Sequence, residues 1–151
     1  MEAYKIRKAT TNDKDLILDF YSRYEDEIST SLKKVREFFD ATAEIEIILI
    51  QNLCQDGNLG KVIAGCVAYC YTEEGIKYGC CSTGLVLRSQ RRKGFSQVLY
   101  KKCEDIFRQK GCQKVRNLRN TQMKHINLKK LKEQNWKINV IGKMIIMEKD
   151  L

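Results

Sequence analysis

Six residues, Arg91-Arg92-Lys93-Gly94-Phe95-Ser96, join an apolar strand-like run to an amphipathic helix-like run, and this junction constrains the chain more than any other feature. Leu85-Val86-Leu87 is apolar without a break. Val98, Leu99, Cys103, Ile106 and Phe107 recur at helical spacing, and the pattern stops before Gly111. The first turn of a helix leaves its N–H groups unpaired and carries partial positive charge, so it attracts anions. Gly94 lets the main chain approach a phosphate without a Cβ in the way. Three cations, a glycine and the amides of a helix start therefore suit a pyrophosphate. The Gly-Lys-Ser/Thr ending of a Walker loop is missing. One glycine stands where a dinucleotide fingerprint needs three. The same residues also read as a basic turn on a solvated surface.

At 151 residues and 43% hydrophobic, the chain has enough apolar material for one sizeable core, so residues 1–151 are expected to form a single domain. No apolar run approaches the roughly 20 residues that span a bilayer. Met1-Glu2-Ala3-Tyr4-Lys5 lacks the apolar stretch of a secretory leader, so a cytoplasmic location and no membrane partner are expected. The seven cysteines include no Cys-x-x-Cys pair, and Cys66, Cys70, Cys80 and Cys81 fall in apolar runs. Such residues are read as reduced core thiols. With one histidine, His125, and no zinc-type spacing, no metal is expected.

Charge is unevenly spread. Residues 88–151 hold 18 Lys/Arg against 5 Asp/Glu, net +13, and residues 1–87 hold 10 against 14, net −4; together they make +9. A basic half attracts nucleic acid, membrane phosphate or a phosphorylated cofactor. Aromatic residues are not interleaved with these charges, which argues against single-stranded nucleic acid. Glu25-Asp26-Glu27 reads either as a solvated triplet or as a receiver for a cationic ligand.

The element order follows from periodicity and turn residues. A strand begins at Tyr4, and Thr10-Thr11-Asn12-Asp13 offers caps to a helix carrying Leu16, Ile17, Phe20, Tyr24 and Ile28 on one face. A second helix spans residues 32–39. Strands follow at 44–53, 62–71 and 77–87, separated by turns at 56–60 and 73–75. After the long helix come a strand at 114–118, a helix at about 122–134, and strands at 137–141 and 143–148. The order is β-α-α-β-β-β-α-β-α-β-β, an α/β (α+β) chain of about seven strands and four helices.

This combination resembles the GCN5-related N-acetyltransferases. Their motif is Arg/Gln-x-x-Gly-x-Gly/Ala after an apolar strand, with a valine five residues before the arginine. Val86, Arg91 and Gly94 match; Ser96 replaces the usual Gly or Ala, and Arg88 stands where proline is common. The element order is also that family's, over the whole chain, and the closing Lys149-Asp150-Leu151 resembles its last strand. The resemblance implies a mixed central sheet flanked by four helices, with acetyl-CoA as acyl donor. It implies pantetheine contacts at Leu85, Val86 and Leu87, with a main-chain N–H near Val86 for the oxyanion. It implies pyrophosphate contacts at Arg91, Arg92, Lys93, Gly94, Phe95 and Ser96.

A second family segment, Asn-x-x-Ala/Met-x-x-Leu/Ile-Tyr/Asn then Leu-Gly-Phe, is similar to Asn120-Thr121-Gln122-Met123-Lys124-His125-Ile126-Asn127. By this resemblance Asn120 contacts the pantetheine arm. Asn127 takes the place of the general-acid tyrosine and is able to donate to the leaving sulfur but not to protonate it. Asn135-Trp136, at the Gly-Phe position, then come one helical turn late. The alternative register aligns them without insertion and places Lys124 and Leu131 at the Asn and Tyr positions. The strand glutamate that many members use as a base is replaced by Ser82 and Thr83, which leaves a hydroxyl-held water or a distant Glu to take the proton.

Three functions stay open on the sequence. The first is an acetyltransferase acting on a primary amine of a small-molecule or peptide acceptor, by direct attack in a ternary complex. The second is a degenerate acyl-CoA binder without turnover. The third and least supported is a basic nucleic-acid-binding domain. Neither the acceptor nor the oligomeric state is legible.

Overall fold

The computed structural model describes residues 3–23, 33–39, 45–120 and 128–151. Seven strands, β1 (Tyr4–Lys8), β2 (Ile45–Leu53), β3 (Leu59–Glu73), β4 (Ile76–Val86), β5 (Lys114–Asn120), β6 (Lys137–Ile141) and β7 (Met144–Asp150), form one sheet in the order β1-β2-β3-β4-β5-β7-β6. Only β4 and β5 pair in parallel; the other neighbours are antiparallel. Helices α1 (Lys14–Ser22), α2 (Lys33–Phe39), α3 (Phe95–Gln109) and α4 (Leu128–Glu133) complete the expected mixed α/β order. Among the described residues no helix is long and apolar enough to cross a membrane.

Several boundaries move for local reasons. Strand β3 begins at Leu59, inside the expected turn, because Leu59 pairs with Leu53 across Gly57, whose φ of 83° closes the loop. Strand β4 stops at Val86, and Leu87 leads into a 3-10 turn over Arg88–Gln90. Strand β5 runs on to Asn120 because every residue from Lys114 to Asn120 has a partner on β7. Tyr24, Ile28, the Glu25–Glu27 triplet and residues 121–127 lie outside the described residues.

The core is built on the branched residues of the central strands. Ile47, Ile48, Leu49 and Ile50 of β2 are fully buried, so both faces of this strand are covered, by Ile17, Phe20 and Tyr21 of α1, Val35 of α2 and the apolar side of α3. Of the expected α3 face, Leu99, Cys103, Ile106 and Phe107 are buried and Val98 is half-buried against the core. Fully burying one such side chain contributes about 1.5–3 kcal/mol, so this face alone anchors the helix. All seven cysteines are free thiols, and Cys66 of β3 meets Cys103 of α3 at 3.4 Å between sulfurs. Contact with Cys103 and burial push the Cys66 and Cys81 thiols well above their ordinary range, so both pack as neutral groups.

The entry to α1 is held by charge. Arg7 of β1 donates to both carboxylate oxygens of Asp13, at 2.9 and 2.8 Å, and Asp13 also accepts the Thr10 N–H at 2.8 Å. These bonds, the Arg7 pair foremost, hold the Asp13 carboxyl at about 2. A carboxylate whose folded pKa is depressed stabilises the fold above its unfolded pKa and loses that contribution as pH falls through the folded value. Asp13→Asn should therefore lower stability at neutral pH by about 1–2 kcal/mol. In thermal melts the difference from wild type should close between pH ~4 and pH ~2.

Candidate functional site

The site begins where β4 leaves β5. Their described pairing has only two members, Tyr78 with Lys114 and Gly79 with Val115. Two residues further along each strand, at Cys81 and Asn117, the main chains no longer pair; the Cys81 N–H is bonded instead to the Asn117 side-chain oxygen at 3.0 Å. Beyond this point β4 continues to Val86 on its β3 side alone.

A bulge then resets β4. Val67 pairs with Ser82 and Gly65 with Leu85, so Cys66 alone faces two residues, Thr83 and Gly84. Successive residues of a strand aim their main-chain groups at opposite edges. The Leu87 N–H bonds to the Ile63 carbonyl on β3, which leaves Val86 aimed at the other, open edge. Arg91 confirms this by donating its Nε to the Val86 carbonyl at 2.9 Å. Cys81 and Val86 are an odd number of residues apart, and only the extra residue of the bulge lets both face the same edge.

The open edge runs straight into the cationic loop. Gly94 caps α3 in the left-handed conformation, φ 84° and ψ 10°, with open space where a Cβ would stand. Arg92, also left-handed at φ 63°, is exposed. Lys93 donates to Gln90 at 3.2 Å. Phe95, the first helical residue, lies edge-on against Tyr4 of β1, with ring centroids 5.1 Å apart, and this contact fixes the start of α3. Ser96 is exposed in the first turn. No Asp or Glu occurs between Glu74 and Glu104, so the helix start, Arg88, Arg91, Arg92 and Lys93 share an acid-free stretch. The acids of α3 lie in its C-terminal half, where Glu104 pairs with Arg108 at 3.6 Å and also with Lys149. An anion fits at the first end and not at the second.

The sheet face away from α3 is aromatic and charged. Tyr69, Tyr71 and Tyr78 stack in sequence at 6.2 and 5.5 Å, and the Arg116 guanidinium lies 3.9 Å from the Tyr78 ring centre. Arg116 donates to Glu73 and Glu148, both at 2.6 Å. Burial, more than any neighbour, raises the Tyr69 and Tyr71 hydroxyls above their usual range. On the α3 side of the sheet, Glu46 pairs with Lys8 and Lys110, each at 3.4 Å. The strand carboxylates Glu46, Glu73 and Glu148 are thus all held by cations. Ser82, half-buried opposite Val67, continues the tyrosine face toward the open edge.

Residues 13–131 match the sequence model of the acetyltransferase (GNAT) family. The chain belongs to the GNAT family. No curated protein matches it. Among solved structures, a GNAT-family acetyltransferase from Streptococcus pneumoniae superposes with a TM-score of 0.70 at 11% identity, covering 99% of this chain and 100% of that one. The PaiA N-acetyltransferase of Thermoplasma acidophilum, in complex with coenzyme A, gives 0.62 at 13% identity over 99% of each. A GCN5-related glucosamine N-acetyltransferase region of a fungal multi-domain GH3 β-N-acetylglucosaminidase gives 0.64 at 12% identity, covering 93% of this chain and 18% of that one. At these identities the likeness speaks for the fold.

In this GNAT chain the expected residues fall into three groups. Leu85 and Val86 lie buried at the end of β4 and Leu87 lies buried just beyond it, and Arg91, Arg92, Lys93, Gly94, Phe95 and Ser96 form the turn and helix start beside them. Ser82 and Thr83 precede the bulge or enter it, and Asn120 closes β5 opposite Met144. Asn127 and the rival registers of its segment lie outside the described residues. Asn117 was not foreseen. The available signal was period-two spacing, which places this amide on the buried face with Val115.

Helix α3 reaches the strand split only because Gly79 lacks a side chain. A Cβ there would stand 2.3 Å from Cγ of the fully buried Phe107 ring. Gly79→Ala should cost about 2–3 kcal/mol in denaturant melts, and adding Phe107→Leu should recover part of the loss.

Proposed function

We propose that this GNAT protein transfers an acetyl group from acetyl-CoA to a primary amine of its acceptor, by direct attack within a ternary complex. One observation carries the reading: the open β4 edge at Val86 leads without interruption into the acid-free loop and helix start at Arg91–Ser96. Residues 85–87 would hold the amide-bearing pantetheine arm, because an unpaired strand edge offers it main-chain partners. The amides of Gly94, Phe95 and Ser96, with the cations around them, would hold the pyrophosphate. The coenzyme A bound to the PaiA neighbour supports this choice of donor.

Bound acetyl-CoA supplies an activated thioester carbonyl. The protein's share is orientation, a main-chain N–H near Val86 for the developing oxyanion, and exclusion of competing water. The acceptor nitrogen bonds to the acetyl carbon as the carbon–sulfur bond breaks, giving an amide and a free thiol. The proton leaving nitrogen passes to a water held by the Ser82 hydroxyl and on through water to the departing sulfur, which leaves as the thiol. The acceptor approaches from the face carrying Ser82 and Tyr69, opposite α3. The seven free thiols favour a reducing, cytoplasmic setting.

A second reading, an acyl-CoA binder without turnover, is favoured by the ion pairs that hold Glu46, Glu73 and Glu148. Calorimetric titration of acetyl-CoA into wild type and Gly94→Glu separates the possibilities. Wild type should bind with a micromolar Kd. The variant, still folded by circular dichroism, should bind at least tenfold more weakly. Thiol release with a panel of primary amines should then exceed hydrolysis. Binding without release on any amine favours the second reading. No binding to wild type overturns both, and leaves the basic half to a polyanion such as nucleic acid.

A further inference from the structure

We propose that Asn117 is a positioning residue that sets where β4 and β5 part and so holds open the slot for the pantetheine arm. The inference rests on the acyl-CoA reading above and adds a residue to it.

The β4–β5 register, continued past Gly79 and Val115, sets Cys81 opposite Asn117. In an unbroken parallel ladder the Cys81 N–H would bond to a β5 main-chain carbonyl. Here it bonds to Asn117 Oδ1 at 3.0 Å, so a side chain stands where a main-chain contact would draw the strands together. A polar residue has no packing reason to be there. Asn117 is 1% exposed, one of two buried polar or charged residues among those described, and its strand neighbour on the same face is the apolar Val115. Burying an amide costs free energy unless it is hydrogen-bonded, and the Cys81 N–H provides that bond.

The bridge also fits the bulge that begins two residues on. Cys81 is the last residue of β4 facing β5 before the Thr83–Gly84 bulge, and Val86 faces the same edge after it. Asn117 satisfies the Cys81 N–H, and Arg91 occupies the Val86 carbonyl. These two side chains close the two ends of the open stretch and leave the groups between them to a ligand. An isolated strand edge tends to re-pair with whatever strand is near. Without the spacer, β5 is the nearest candidate, and re-pairing would shut the slot.

The test combines coenzyme A affinity with hydrogen exchange. In wild type without ligand, the Cys81 amide should exchange slowly; on adding coenzyme A, the Val86 amide should slow at least tenfold while Cys81 changes little. Asn117→Ala removes both spacer and acceptor and should weaken coenzyme A binding at least tenfold. Asn117→Asp keeps the length and an acceptor oxygen and should bind within about threefold of wild type, a rescue that loss of stability alone would not produce. An Ala variant that binds as tightly as wild type overturns the proposal. So does a Cys81 amide unprotected in unliganded wild type, a result that needs no variant to fold. Wild type that does not bind coenzyme A, with Cys81 protected, refutes the acyl-CoA reading and leaves the Asn117 bridge standing as a structural feature only.

Discussion

Main-chain pairing between β4 and β5 stops after two residue pairs, and the geometry on either side of that stop explains the rest of the molecule. Below it, Tyr78 and Arg116 stack across the join, and Arg116 ties β3 and β7 to it through Glu73 and Glu148. Above it, β4 keeps only its β3 neighbour, and the bulge at Thr83–Gly84 turns Val86 toward the vacant side. A sheet normally spends its edges on pairing because unpaired N–H and C=O groups invite association. An interior strand with one edge withheld is a binding surface made from main chain alone. Its chemistry therefore depends little on which side chains happen to line it.

The second requirement is a helix start at a fixed place beside that edge. Helix α3 is seated by Leu99, Cys103, Ile106 and Phe107, and Phe107 comes so close to β4 that only glycine fits beneath it at position 79. At its other end Phe95 leans on Tyr4 of the edge strand β1. With both ends fixed, the left-handed turn at Gly94 delivers the first amides of the helix to the mouth of the slot. Positive charge concentrates there because the acids of α3 are confined to its second half. They are engaged there with Arg108 and Lys149.

What was legible in the sequence was what is local. Val86, Arg91 and Gly94 announce themselves by spacing, and the amphipathic run from Val98 to Phe107 fixes the helix because its period is set by the backbone. Element order followed because each turn carries its own signal, as Gly57 and Gly75 do with φ near 80°. What depends on two distant segments was not legible. Nothing near Arg91 says that its side chain returns to the Val86 carbonyl. Nothing near Asn117 says that its amide meets Cys81, 36 residues earlier. The bulge left a trace in Gly84, a glycine inside a strand, yet its position depends on the register with β3. Tyr78 is buried in the Tyr71–Arg116 stack, a contact that joins β3, β4 and β5 and that no one segment announces.

The central claim is that acyl-CoA occupies the β4 edge and the start of α3. Amide chemical shifts of isotopically labelled protein, followed through a titration with acetyl-CoA, test it most directly. The account predicts saturable shifts concentrated at residues 84–87 and 94–96, with the amides of β1 and the β6–β7 hairpin nearly still. Saturable shifts centred elsewhere, or none at millimolar ligand, would contradict it.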